Sequence, residues 1–212
     1  QNLYNNFQLD FIEKNREIKK TLNKILGGKY NIILAKFVVS VPNSWMPKYV
    51  RDFCKKNPGI NLNKFIKKKY RDVTFFQGLD FHMDSIDRSF KSNKFITMYV
   101  YLNDVTSKMS PIEIIEGSHK YGHVPWPHFL RKNRKKSVEF SIDNKNFKKF
   151  KKNALTGSSG DVFIWTSNTL HGTSKPNNKD KKFRISLRYL IEKKNKEKSL
   201  IDDVVIGQKV SK

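Results

Sequence analysis

Phe95-Ile96-Thr97-Met98-Tyr99-Val100-Tyr101-Leu102 is apolar nearly throughout. A strand with one wet face alternates polar and apolar residues, so this run predicts a central strand covered on both faces. Working outward, the chain from residue 73 breaks into short β-rich runs at 73–77, 80–84, 94–102, 112–115, 137–142, 161–165 and 183–191. Turn signals separate them: Asn103-Asp104, Ser110-Pro111, Gly117-Ser118, Gly157 to Gly160 and Pro176-Asn177-Asn178. Such a pattern predicts a mainly β fold, a sandwich or a barrel. Upstream, Phe11, Ile12, Ile18, Leu22, Ile25 and Leu26 are spaced for one face of a helix over 8–26, stopped by Gly27-Gly28. Tyr30 to Val41 reads as a largely buried strand ending at Pro42, and 46–70 as helical or irregular, broken at Pro58-Gly59. The expected plan is a single domain over 1–212. Flanking helices and a strand fill 1–72, the β core 73–191, a basic insert or lid 131–153, and a charged tail 194–212.

A chain of 212 residues can bury a substantial core, and 37% hydrophobic with 13% aromatic residues excludes a disordered chain. No run approaches the roughly 18 apolar residues of a membrane helix, so no membrane partner is expected. Cys54 is the lone cysteine, which excludes an intrachain disulfide and makes a reducing, cytoplasmic setting the expectation. The net charge of +24 would attract anions, nucleic acid among them. Only eight of the 43 basic residues are arginine, however, and nucleic-acid readers lean on the planar guanidinium fork. Nucleic acid is therefore disfavoured, and a lysine-rich composition is the plainer account.

Five histidines exist, at 82, 119, 123, 128 and 171, so any metal site draws on them. In Phe81-His82-Met83-Asp84 strand alternation puts His82 and Asp84 on one face, with Met83 turned into the packing. One imidazole nitrogen and one carboxylate oxygen are two legs of a facial triad, and a third, distant histidine would leave positions for a chelating oxoacid and O2. That ligand is sought after Gly160-Asp161-Val162-Phe163-Ile164-Trp165, a turn and buried strand leading to His171-Gly172-Thr173. Thirteen residues on, Arg184 and Ser186 share a strand face, a guanidinium and a hydroxyl suited to gripping a carboxylate. His119 and His123 stand four apart but among glycines and prolines, so no helix pairs them. His119 is expected to be structural, and His123 and His128 to line an entrance. Trp126 and Trp165 read as core or rim aromatics.

These stretches, with Leu102-Asn-Asp-Val-Thr106 and Ile114-Ile-Glu-Gly-Ser-His-Lys-Tyr-Gly122, resemble the phytanoyl-CoA dioxygenase family of Fe(II)/2-oxoglutarate oxygenases over roughly residues 73–191. The resemblance implies a double-stranded β-helix, a jelly-roll or cupin-like barrel. It implies Fe(II) on His82, Asp84 and His171, with 2-oxoglutarate chelating the metal and an arginine holding its far carboxylate. Thr173 matches a family hydroxyl that touches that carboxylate, and Tyr99 or Tyr101 is expected to reach the co-substrate. Relatives place the arginine about two residues nearer the distal histidine, where this chain has Lys182. Lys182 and Arg184 share parity, and Arg184 is the choice on geometry. Ser110-Pro111 stands where relatives often carry a glycine. Halogenating relatives replace the carboxylate ligand by a small residue; with Asp84 present, hydroxylation is implied, coupled to decarboxylation of 2-oxoglutarate to succinate.

The lysines of 131–153 fit either a lid for an anionic small-molecule substrate or a solvated loop. Two alternatives stand beside this reading: a nucleic-acid dealkylating oxygenase on the same triad, and a non-catalytic jelly-roll protein that keeps a metal site.

Overall fold

β3 (Phe95–Tyr101) is buried at every residue. In the computed structural model, which describes residues 9–56, 66–68, 81–86, 94–126, 128–132, 137–173 and 182–204, it lies between β10 (Arg184–Lys193) and β8 (Val162–Thr166). β1 (Tyr30–Ser40) completes a four-stranded sheet in the order β1-β10-β3-β8. A six-stranded sheet runs β2 (Phe81–His82), β9 (His171–Thr173), β4 (Ile112–Ile115), β7 (Lys148–Leu155), β6 (Ser137–Ser141) and β5 (Phe129–Lys132). Every pairing of these strands is antiparallel. The sheets meet through Tyr99, Ile112 and Trp165, with Val38, Ile114, Leu155 and Phe163 against them, and curl into the expected double-stranded β-helix.

Strand alternation divides the four-stranded sheet into two chemically different faces. Ile96, Met98 and Val100 of β3 and Leu187, Tyr189 and Ile191 of β10 point outward, where Ile12, Leu22, Leu26 and Ile201 cover them. The covering helices are α1 (Asp10–Lys14), α2 (Arg16–Leu26) and α4 (Leu200–Val204), while α3 (Lys48–Lys56) follows β1. The register sets Ser186 opposite Tyr101 and Arg188 opposite Tyr99, so the remaining residues of the same strands form an inward face with polar groups. One apolar face is thus spent on the helices, and the other is left for a site.

Several expectations shift. The helix over 8–26 is two helices, because the Asn15 side chain accepts from the backbone N–H groups of Glu17 and Ile18 at 3.0 and 3.1 Å and caps α2 anew. β1 is half-buried along most of its length, as an edge strand must be. Much of the basic block 131–153 is strand rather than loop, in β5, β6 and β7. The charged tail carries α4, docked on the core through Ile201. The expected strand at 73–77, the break at Pro58-Gly59 and the turn at Pro176-Asn177-Asn178 lie outside the described residues. No described helix is long and apolar enough to cross a membrane.

Ser110 occupies a left-handed backbone conformation, φ 51°, and its buried hydroxyl has no hydrogen-bond partner. This is the position where relatives of the family it resembles often carry a glycine, and glycine is the residue that takes that φ without steric cost. Ser110→Gly is expected to raise stability by about 1 kcal/mol, measured by urea unfolding. A second device ties α4 to the sheet: Asp202 accepts from Lys94 Nζ at 2.5 Å, from Lys193 Nζ, and from the Ser199 backbone N–H at 2.8 Å. Burial alone would raise the Asp202 carboxyl, but the bonds from Lys193, Lys94 and Ser199 hold it below the usual carboxylate range. A depressed folded-state pKa contributes stability above the unfolded pKa, near 4, and loses it as pH falls. Asp202→Asn should therefore cost about 1 kcal/mol at pH 7 after allowance for solvent screening, and should flatten the acid limb of the stability profile between pH 5 and about pH 2.

Candidate metal centre

His82 and His171 are cross-strand partners on β2 and β9, their ring centroids 4.5 Å apart. Asp84 is not on the strand where alternation puts it. β2 ends at His82, and Asp84 opens a 3₁₀ turn over Asp84–Ile86. Met83 between them is fully buried, as expected, with its Sδ accepting from the Val124 backbone N–H at 3.4 Å. The carboxylate still comes to the histidines, and one ligand atom from each of His82, Asp84 and His171 lies within 4.8 Å of the others.

Asp84 is completely buried, and an unpaired carboxylate there would cost several kcal/mol. Three groups compensate it. Thr97 Oγ1 donates to Oδ2, Arg188 Nη2 donates to Oδ1, and His171 Nε2 lies 3.5 Å from Oδ1. Burial works to raise the carboxyl's pKa, but His171 and Arg188 hold it well below the usual range, so Asp84 stays ionised. His171 Nδ1 sits 3.0 Å from the Thr169 carbonyl oxygen. Donation to that carbonyl keeps the proton on Nδ1 and leaves Nε2, on the Asp84 side, to act as a ligand. Two imidazole nitrogens and one ionised carboxylate oxygen, with His171 and Asp84 oriented by neighbouring hydrogen bonds, are a donor set that could hold a divalent first-row metal.

The inward face of β10 carries the second half of the site. Arg184 is 2% exposed, and its Nη1 donates to Ser186 Oγ at 3.3 Å. Its Nε has no hydrogen-bond partner, and no carboxylate pairs with it among the described residues. Burial lowers its pKa, while Tyr99 and Tyr101 favour the charge. A buried cation without an anion is a receptor for one. Lys182 precedes β10 and is exposed, so burial separates two residues that parity could not. Thr173 is exposed at the end of β9 and forms no hydrogen bond to Arg184 or Ser186. Tyr101 spends its hydroxyl on the Leu155 carbonyl at 2.7 Å. Tyr99 lies beneath Arg184, 5.9 Å from the guanidinium carbon, and stacks on Trp165 at 5.2 Å.

The other histidines divide. His119 lies in a 3₁₀ turn over Ser118–Tyr121, with its carbonyl accepting from Asn168 Nδ2 at 2.7 Å, a structural placement. His123 is fully buried, its Nε2 3.3 Å from Ser167 Oγ, and lines no entrance. Both ring nitrogens of His128 are buried. Burial, with the positive fields of His82, Lys67 and His171, pushes its pKa down to about 3, so the ring is neutral. Thr97 and Arg188 were not anticipated. Their signal was present, since Arg188 shares parity with Arg184 and Thr97 with Tyr99, but nothing local pointed either residue at Asp84.

A family model described as phytanoyl-CoA dioxygenase (PhyH) matches residues 46–186. Among solved structures, the non-heme monooxygenase ThoJ in its apo form is similar with a TM-score of 0.54 and 13% identity, over 87% of this chain and 54% of that one. Its nickel complex is similar with a TM-score of 0.52 and 11% identity, over 87% of this chain and 53% of that one. The chain thus spans about half the length of these structures. No curated protein matches the sequence.

Thr97→Val removes one of the bonds orienting Asp84 without changing the shape of the side chain. It is expected to weaken binding of a divalent metal to the triad by about 10- to 100-fold, read by competition with a chromogenic chelator.

Proposed function

The chain belongs to the phytanoyl-CoA dioxygenase family, and from that premise we propose that it is an Fe(II)- and 2-oxoglutarate-dependent oxygenase that hydroxylates a small molecule. One observation carries this reading: the His82-Asp84-His171 cluster, with Asp84 and His171 buried, shares a barrel interior with Arg184, a buried cation that has no carboxylate partner among the described residues. A metal site alone would fit many roles, and a buried arginine alone could be structural. Together they offer a metal for the 1-carboxylate and keto oxygen of an oxoacid, and a guanidinium for its distal carboxylate.

In this reading His82, Asp84 and His171 hold Fe(II), which supplies the redox chemistry by which O2 decarboxylates 2-oxoglutarate to succinate and oxidises a substrate C–H bond. The chain's own residues do the rest. Arg188 and Thr97 keep Asp84 ionised and oriented. The Thr169 carbonyl fixes the tautomer of His171. Arg184 binds the distal carboxylate with Ser186 beside it, and Thr173 lies two residues after His171 at the exposed end of β9. Tyr99, Trp165 and Phe163 form a dry wall that excludes water from the reacting groups. The substrate is a small molecule.

The test is aerobic incubation with Fe(II), ascorbate and 2-oxoglutarate, scored by succinate. The wild-type protein is expected to release succinate, and Asp84→Ala or His171→Ala to release less than about a hundredth as much. Arg184→Met should raise the KM for 2-oxoglutarate by at least about tenfold, since it removes a charged bidentate contact, while Lys182→Ala leaves that KM unchanged. Wild-type protein that neither binds Fe(II) nor consumes 2-oxoglutarate would overturn the proposal.

A further inference from the structure

We propose that Lys151 and Asn153 of β7 bind the prime substrate of this site, and that the group they hold is a carboxylate. The assignment rests on the oxygenase reading above and names the class of molecule the site takes. It starts from strand register. Facing residues of antiparallel strands point to the same side of a sheet. His82 faces His171, His171 faces Ile114, and Ile114 faces Asn153. Two of the triad residues, an isoleucine and an asparagine therefore form one row across four neighbouring strands. The row looks into the barrel: Ile114 packs with Leu155 against Tyr99, Ile112 and Trp165, and the ring of Trp165 lies 5.0 Å from that of His171.

The opposite face of these strands is spent on packing. Ile115, Val138 and Phe140 are buried there with Phe150 against them, and Lys152 shares that face as the partner of Ile115. Alternation along β7 then puts Lys151, Asn153 and Leu155 on the inward face. Their order separates the two ligands. Tyr101, opposite Ser186 of the proposed oxoacid grip, donates to the Leu155 carbonyl at 2.7 Å. Leu155 thus marks the co-substrate end of β7, Asn153 the metal row, and Lys151 the side beyond the metal. An oxoacid reaching from the metal toward Arg184 leaves the Lys151 side for the substrate. His171 and Asn153 stand two strand spacings apart, roughly 10 Å, and a substrate carbon over Ile114 lies about half that distance from each.

The chemistry narrows the group. Asn153 Nδ2 and Lys151 Nζ, the latter at 3.5 Å, both donate to the same oxygen of Glu116. Glu116 follows β4 and is tied to the same strand, its backbone N–H donating to the Lys151 carbonyl at 3.0 Å. An amide and an ammonium aimed at one carboxylate oxygen are a receptor for an oxyanion, and Glu116 fills it from within the chain. The Lys151 and Glu116 side chains are 62% and 48% exposed, and a pair so exposed is held weakly. An incoming carboxylate therefore exchanges with that of Glu116 at little cost. An ammonium would have to share the oxygen with Lys151, like charge against like. A hydroxyl brings no charge to replace the one it displaces. Ile114, between this receptor and the metal, calls for a hydrocarbon segment. The substrate is thus a carboxylate whose reacting C–H lies about 5 Å from the acid group.

The test uses protein loaded with Mn(II) and 2-oxoglutarate in O2-free buffer, so that binding is read without turnover. Hexanoate, hexanol and hexylamine are titrated in turn and followed by proton NMR of the probe. Metal and 2-oxoglutarate content is measured for every variant. Wild-type protein should bind hexanoate, with Mn(II) relaxing its methyl protons more than the methylene beside the carboxylate. Lys151→Met and Asn153→Leu should each weaken that binding by at least about threefold, and Glu116→Ala, which empties the receptor, should strengthen it. Lys152→Met removes the same charge from the opposite face of the same strand, and should leave the affinity within about twofold. Hexanol and hexylamine should lose nothing in Lys151→Met. The proposal falls if the loaded wild type does not bind hexanoate, if Lys152→Met costs as much as Lys151→Met, or if Glu116→Ala weakens binding. It falls equally if hexanol or hexylamine is the probe that depends on Lys151, or if the methylene beside the carboxylate is relaxed most. Failure of the wild-type protein to load Mn(II) and 2-oxoglutarate would instead sink the oxygenase reading itself.

Discussion

A single carboxylate, Asp84, is buried completely at the centre of the barrel, and the architecture around it is what makes that burial tolerable. Burying an ion is costly unless its lone pairs are matched. Asp84 meets Thr97 from β3, Arg188 from β10 and His171 from β9, so both sheets contribute to one compensated charge. The strands must hold their register for those contacts to exist. A slip of one residue in β10 would turn Arg188 out among the helices and bring Leu187 or Tyr189 to the carboxylate.

The same alternation lets two sheets serve two purposes. The outward residues of β3 and β10 are aliphatic or aromatic and disappear under α1, α2 and α4. The inward residues include Thr97, Tyr99, Tyr101, Arg184, Ser186 and Arg188, among them most of the polar chemistry of the site. Such a strand reads as apolar throughout in β3, where aromatic and threonine side chains face the cavity, and as alternating in β10, where charges do. Stability is drawn chiefly from one face, which leaves the other free to carry a buried arginine with no carboxylate partner among the described residues.

The basic character of the chain takes on a different meaning in the folded protein. Lys193 and Lys94 are consumed in pinning α4 through Asp202, and Lys152 in pairing with Glu113 at 2.6 Å. Segment 131–153, where lysines are densest, is largely sheet. Part of the positive charge thus does structural work, while the two cations buried on the inward face of β10, Arg184 and Arg188, are arginines. Their planar forks suit fixed carboxylates in a dry cavity, as lysine's flexible stem does not.

What the sequence by itself determined are the properties that depend on near neighbours. These include the burial of Phe95–Tyr101, the shared face of Arg184 and Ser186 and the stop at Gly27. Each follows from backbone geometry over a few residues, and the candidate ligands followed because few histidines exist to choose from. Tertiary structure alone decided which distant residues meet. Parity could not separate Lys182 from Arg184, but burial did. Nothing near Thr97 or Arg188 announced that both would reach Asp84, because the pairing of β3 with β10 brings together a threonine 13 residues and an arginine 104 residues away from it. Asp84 left its strand for a 3₁₀ turn, and the Met83 before it is held by Val124 from another part of the chain. Side-chain direction is a local property of the backbone; partnership is set by pairing and packing across the whole chain.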